Sequence, residues 1–401
     1  MIRSFIDTRS VVGLALAILT LQSCVDSDGG DPCSPTTCES AGIECGALSD
    51  GCGDVLDCGE CSPLQELAAD HGLLMGAQIE PSDVVQDGDY EALINREYAA
   101  ITPGNNFKMI HLRPAPDEFD FTTTDSLMDY AEEHGFLVFA HTLVWGHEGS
   151  IPDWLANADP TREELIAFME DHITTVMQRY AGRVQAWDVV NEAFCNADSE
   201  AYCIVEQGDE AGMDGSLWRQ VIGPDFIEIA LQAARAADPS ATIYLNENGV
   251  EIQGTPKAEV FYAFVADLVA RGIPLDGVGM QMHLSTDTAT PELIAEQSAA
   301  VHSNVARFNA LGLQFLVTEL DVAIPDDGYS QDALDWQAEL YRFVMEVCLE
   351  AADCPSFSLW SPTDRYSWIP DAKPGYGHAG IHDDNLLPKP AYHALREILT
   401  N

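Results

Sequence analysis

From Pro63 onward, short apolar runs alternate with amphipathic stretches, and this alternation limits the available folds more than any other feature of the chain. The runs are Leu73–Gly76, Ala99–Ile101, Phe136–Phe139, Val184–Val190, Ala241–Leu245, Gly277–Met280, Gln314–Val317 and Ser356–Trp360. Their lengths and mostly apolar content suit strands covered on both faces. Helical patterns lie between them. Asp225 to Ala237 carries Phe226, Ile229, Ala230 and Ala233 at i, i+3, i+4 and i+7, the spacing of one helix face. Thr161-Arg-Glu-Glu164 is a capping-box sequence that opens another helix. Eight strands, each followed by a helix, predict an α/β fold: one (β/α)8 barrel over residues 63–401.

In such a barrel the chemistry sits at the C-terminal ends of the strands. The apolar runs here end in groups a core would not choose: Asn105 and Lys108, His141 and Trp145, Asn191 and Glu192, Asn246 and Glu247, Gln281 and His283, Glu319 and Asp321, Trp360 and Asp364. One such ending is unremarkable in any barrel; seven on one rim predict a site. Glu192 and Glu319 close the fourth and seventh runs, which places two carboxyl groups across the mouth from each other. Two carboxyls are what cleavage of a glycosidic bond requires. One protonates the leaving oxygen and the other stabilises or attacks the oxocarbenium-like carbon, with retention of configuration when they stand about 5–5.5 Å apart. An isolated Asn-Glu or Thr-Glu is usually a surface pair, and a lone His283 is more often structural. Trp145, Trp360 and Trp368 are candidate core aromatics, but a barrel mouth also uses aromatic faces to stack sugar rings.

The first sixty residues carry other signals. Arg3 and Arg9 precede an apolar run from Val11 to Leu21, the right length for a signal h-region and too short to span a bilayer. It ends in Leu21-Gln22-Ser23-Cys24, which looks like a lipoprotein signal over residues 1–23 with Cys24 as the lipidated mature N-terminus. An ordinary signal peptide with a chance cysteine is the alternative. Both readings take the chain out of the cytoplasm, to an outer-membrane or cell-surface position or into the medium. Six cysteines follow, Cys33, Cys38, Cys45, Cys52, Cys58 and Cys61, in a Gly/Asp/Ser-rich segment with no Trp, Tyr or Phe. In an exported chain they predict a disulfide-stapled spacer over residues 24–62, with 15 pairings open; zinc at Cys58-x-x-Cys61 is the competing reading. Cys195/Cys203 and Cys348/Cys354 are spaced to close two small loops.

The charge balance excludes several partners. Lys plus Arg number 18 against 66 Asp plus Glu, a net charge of −48. Such a surface repels nucleic acid and anionic lipid and disfavours polyanionic substrates. A neutral polymer remains, and a monomer suffices to bind it. No metal or cofactor is called for: carboxylates and water suffice, and His382-Asp383-Asp384 reads as a solvated acidic loop.

The motifs together are specific. His141-Thr-Leu-Val-Trp145, Trp187-Asp-Val-Val-Asn-Glu192, Gly279-Met-Gln-Met-His283, Thr318-Glu-Leu-Asp321, Pro388-Lys-Pro-Ala-Tyr392 and Ala233-Ala-Arg-Ala-Ala-Asp-Pro239 run in order along the barrel. In them the chain resembles glycoside hydrolase family 10, the endo-1,4-β-xylanase family. The resemblance implies that Glu192 is the general acid/base and Glu319 the nucleophile of a retaining, xylan-cleaving enzyme. It further implies that Asn191 binds the 2-hydroxyl of the −1 sugar and that His283, backed by Asp321, orients the nucleophile. Lys108, His141, Trp145 and Gln281 would contact that sugar, Asn105 belongs to the same substrate-binding stretch, and Trp360 and Trp368 would wall it.

Departures from the family pattern surround these residues. Pro103-Gly104-Asn105-Asn106-Phe107-Lys108 has glycine where the family has the glutamate that grips the −2 sugar. Gly146-His147-Glu148 replaces His-x-Gln, and Asn246-Glu247-Asn248-Gly249 replaces Asn-Asp-Tyr-Asn. Two further readings therefore stand beside the xylanase: a retaining hydrolase of another β-glycan or short oligosaccharide, and a lipid-anchored glycan-binding protein without catalysis.

Overall fold

The computed structural model describes residues 35–41, 45–49, 52–59, 61–194 and 216–401. The signal segment, Cys24, Cys33 and the Cys195/Cys203 pair lie outside them. The chain divides into two compact units, Met1–Cys61 and Ser62–Asn401. In the first, strands Ala47–Ser49 and Val55–Asp57 pair antiparallel. Disulfides join Cys38 to Cys58 and Cys45 to Cys61, and Cys52 is also disulfide-bonded. Cys58 and Cys61 are thus tied to different partners, and their spacing serves two staples rather than one zinc ion.

The second unit is the barrel. Its strands are β1 (Leu74–Ile79), β2 (Ala100–Pro103), β3 (Leu137–Ala140), β4 (Ala186–Asn191), β5 (Thr242–Glu247), β6 (Gly277–Met280), β7 (Gln314–Pro325) and β8 (Ser356–Leu359). All pair in parallel in chain order, and β8 closes the circle on β1. After them come helices α1 (Gly88–Glu97), α2 (Thr122–His134), α3 (Arg162–Arg179), α4 (Phe226–Ala237), α5 (Pro256–Arg271), α6 (Pro291–Ala310), α7 (Gln331–Glu350) and α8 (Pro390–Thr400). The capping box at α3 is complete: Thr161 Oγ1 accepts from Glu164 N, and Glu164 accepts from Thr161 N. On α4 the buried stripe is Phe226, Ile227, Ala230, Leu231 and Ala234, so the expected face is turned by about one residue and Ile229 and Ala233 flank it. Ala100, Phe139, Ala186, Tyr244 and Leu316 pack together as a layer of the core.

The strands run further than their apolar runs. β5 takes in Asn246 and Glu247, and β7 continues through Glu319 and Asp321 to Pro325, because a backbone ladder is indifferent to side-chain polarity once the polar groups find partners. Short strands extend the rim: Val144–Trp145 pairs with the end of β4, and His283–Ser285 pairs with Asp321–Ala323.

The opposite end of the barrel holds the chain's entry. Helix Leu64–Asp70 docks there: Leu64 N donates to Glu97 Oε2 at 2.8 Å, and His71 Nε2 pairs with the carbonyl of Leu399 at 3.0 Å. Two expected features resolve as structural. Asp364 turns away from the site into an ion pair with Lys389, at 3.1 Å. His382 is buried against Tyr392, with rings 4.9 Å apart, and the Asp383 carboxylate accepts from Asn385 N and Leu387 N. That segment is a turn tied by its own backbone, with Asp384 exposed to solvent. The Cys348–Cys354 disulfide closes the short link from α7 to β8.

Candidate active site

Glu192 follows β4 directly, and its backbone is left-handed, with φ of 53°. For a residue with a Cβ this costs about 1–3 kcal/mol and persists only where the surroundings hold it. Several bonds do so. Glu192 N donates to Asn246 O at 3.0 Å, and Phe194 N to Glu247 Oε2 at 3.0 Å. Glu247 is buried and in turn paired with Lys257 at 2.8 Å. Burial lifts the Glu247 carboxyl to about 7 against the opposing pull of Lys257. The Glu192 carboxyl accepts from Gln281 Nε2 at 2.9 Å on one oxygen and from Trp145 Nε1 at 3.1 Å on the other.

Glu319, on β7, is 4% exposed, and each of its oxygens has a nitrogen partner. Asn246 Nδ2 donates to Oε1 at 2.5 Å, and His283 Nε2 lies 3.2 Å from Oε2. His283 Nδ1 is 3.0 Å from Asp321 Oδ1, and Trp368 Nε1 donates to Asp321 Oδ2 at 2.7 Å. Desolvation works against a charge on His283, but Asp321 and Glu319 overcome it and hold its pKa well above the ordinary histidine value. A cationic ring therefore donates to both carboxylates.

The two glutamates are joined beneath the mouth by amides. Asn246 Nδ2 donates both to Glu319 and to Asn191 Oδ1, the latter at 3.0 Å, while Gln281 Nε2 donates to Glu192 and to Asn191 Oδ1 at 3.2 Å. Thr318 Oγ1 orients Asn246 through its Oδ1 at 2.7 Å. Gly279 is required here, since a Cβ at that position would stand 2.4 Å from Asn246 Oδ1. Asn191 Oδ1 has both acceptor positions filled, which leaves Nδ2 as its free donor among the described residues. His141 Nδ1 sits 2.9 Å from Asp188 Oδ2 in full burial; desolvation pushes the imidazole down to about 4 and the carboxyl well above the ordinary carboxylate value.

Outward from this centre, Lys108 Nζ lies 5.2 Å over the Trp145 ring and donates to Asn105 Oδ1 at 2.9 Å. Phe107 pins their loop: it is fully buried, edge-on to Tyr180 and Trp187 at 5.5 Å each. His147, one of the departures, stacks on Trp145 at 4.7 Å. Trp360 stands edge-on to His141 at 5.2 Å, and Trp368 is 40% exposed beside His283. The sequence-predicted residues thus converge, apart from Asp364 and Glu247; Glu247 supports the rim from below. Two participants were not singled out as contacts. Asn246 was visible only as a polar strand end, and Glu80, whose Oε1 accepts from Asn105 Nδ2 at 2.7 Å, had no signal.

A closed parallel barrel with paired carboxyl groups in a polar, aromatic-rimmed mouth defines a glycoside hydrolase. Comparison with known sequences and structures narrows this. The chain belongs to glycosyl hydrolase family 10, whose model matches residues 63–398. It is similar to endo-1,4-beta-xylanase B of Thermotoga neapolitana, 36% identical over 310 residues that cover 77% of this chain and 83% of that one. Native xylanase 10B from Thermotoga maritima superposes with a TM-score of 0.76 at 34% identity, covering 84% of this chain and 98% of that one. Xylanase 10B from Thermotoga petrophila RKU-1 in complex with xylobiose gives 0.76 at 33%, covering 85% and 98%.

Proposed function

We propose that the protein is a retaining endo-1,4-β-xylanase in which Glu192 is the general acid/base and Glu319 the nucleophile. The observation that carries this reading is the amide bridge through Asn191, Asn246 and Gln281, which ties two differently held carboxyl groups into one unit. Support for the substrate comes from the relatives, which are xylanases across most of the barrel, one of them complexed with xylobiose.

In the first step the proton of Glu192 passes to the leaving oxygen as that bond breaks, and a Glu319 oxygen bonds to the anomeric carbon. Asn246 and His283 keep the attacking carboxylate aimed. Asn191 Nδ2 is placed to donate to a hydroxyl of the reacting ring, a bond that favours catalysis if it tightens towards the transition state. In the second step Glu192 takes a proton from water, which attacks the same carbon and frees Glu319. Trp145 and Trp360 offer faces for sugar rings.

We also propose that residues 1–23 export the chain and that Cys24 carries a lipid, with residues 24–62 as a stapled spacer and 63–401 as the catalytic unit of a monomer. The disulfides at Cys38–Cys58, Cys45–Cys61 and Cys348–Cys354 support an oxidising compartment. The test of activity is product analysis on linear xylan for protein lacking residues 1–24, beside Glu319→Ala. Short xylo-oligosaccharides from the wild type alone are expected. Release from another β-glycan but not from xylan would overturn the substrate, and equal release by Glu319→Ala would overturn the nucleophile.

A further inference from the structure

Gly104 and Glu80 are geometrically coupled. A Cβ at Gly104 would stand 2.4 Å from Glu80 Oε1 and 2.4 Å from Gln78 Nε2, so a side chain at 104 would displace the ends of the Glu80 and Gln78 side chains from their present positions. Glu80 follows β1, and its Oε1 accepts from Asn105 Nδ2 at 2.7 Å and Gln78 Nε2 at 3.3 Å. Asn105 is bonded to Lys108, Lys108 lies over Trp145, and Trp145 donates to Glu192. A continuous row of polar contacts therefore leads from the proposed acid/base out to Glu80.

Beyond Glu80 opens a cavity of about 610 Å³, whose lining includes Glu80, Asn105, Val84, His111, Ser126 and Tyr130. Ligand pockets fall in the range of ~300–1,000 Å³. Apolar patches beside hydroxyl and amide groups suit the mixed surface of a neutral sugar ring. An acidic ring would meet Glu80 and the strongly negative surface. Burial raises the Glu80 carboxyl to about 7, with Lys108 pulling the other way, and among the described residues no hydrogen bond reaches Oε2. A partly buried carboxylate short of donors is stabilised by a ligand hydroxyl.

We infer that Glu80 is a specificity-determining residue that, with Asn105, holds the neutral sugar adjoining the reacting ring on its non-reducing side, in place of a side chain at position 104. The inference deepens the proposed function and rests on it.

The experiment compares kcat/KM for an aryl β-xyloside, which has one ring, with an aryl β-xylobioside, which has two. Glu80→Ala is expected to lower the xylobioside-to-xyloside ratio by roughly 10- to 100-fold, the scale for a hydrogen bond to a charged group. Glu80→Gln, which keeps the shape and removes the charge, should lower it in the same direction. The double variant Glu80→Ala/Gly104→Glu, with the space at 104 vacated, should recover most of the ratio. An unchanged ratio in both Glu80 variants overturns the inference, and a fall that the double variant does not reverse overturns the exchange between 80 and 104. A folded wild type that cleaves neither substrate would instead overturn the proposed activity, and this inference with it.

Discussion

Asn246 has a single NH2 group and spends both hydrogens, one on Glu319 and one on Asn191. Removing it strips Glu319 of one of its two hydrogen-bonding nitrogen partners and leaves Oε1 with His141 Nδ1 at the longer distance of 3.9 Å. A hydrogen bond to a charged group contributes about 1.5–3 kcal/mol, equivalent to about 10- to 100-fold in rate. Asn246→Ala should therefore lower kcat on xylan or an aryl xylobioside by about that factor with a smaller change in KM. A kcat within twofold of wild type would remove Asn246 from the arrangement. Residues of this kind were partly legible. Glu192, Glu319, His283 and Asp321 stand in motifs whose types and order announce carboxyl chemistry. Asn246 stood only as a polar ending, because its bonding partners are 55 and 73 positions away and distance in the chain hides them. Glu80 was silent for the same reason: its carboxylate matters only where the chain has brought Asn105 and Gly104 against it.

The end of β4 carries backbone strain that neighbouring side chains hold in place. β4 delivers Glu192 into a left-handed backbone, and the end of β5 supplies Glu247, which fastens Phe194 and is itself fastened by Lys257. The buried carboxyl of Glu247 has its pKa raised from 4.5 to about 7, so the folded protein holds this proton more tightly than the unfolded chain. Its contribution to stability is complete below the unfolded pKa and is lost as pH rises through the folded one. The wild type should thus lose melting temperature relative to Glu247→Gln as pH rises from 4.5 to 7, and a difference that stays flat over that window would refute the assignment. At this scale the alternation of apolar and amphipathic stretches foretold all eight strands and their helices. It missed where they stop. A strand ends where the ladder ends, and β5 and β7 carry their ladders beyond the first apolar run into the polar residues of the candidate site.

For the whole molecule, charge and cysteines spoke plainly, while the wrapping of one segment on another did not. The acidic surface and the stapled N-terminal unit were readable from composition. The pairing of Cys38 with Cys58 and of Cys45 with Cys61 needed coordinates, because six cysteines in a short window carry no address. The proposed anchor makes a prediction at this scale. In a bacterial host that processes lipoproteins, Cys24→Ser should move the enzyme from the membrane fraction to the soluble fraction without altering its kcat, and membrane retention of the variant would count against lipidation. The barrel bears on this through its two ends. The stretch from Ser62 enters beside Glu97 and Leu399, at the pole away from the carboxylates. The helix that opens this unit is thus stitched to the barrel floor, so a probe placed on it reports on the floor and not on the mouth.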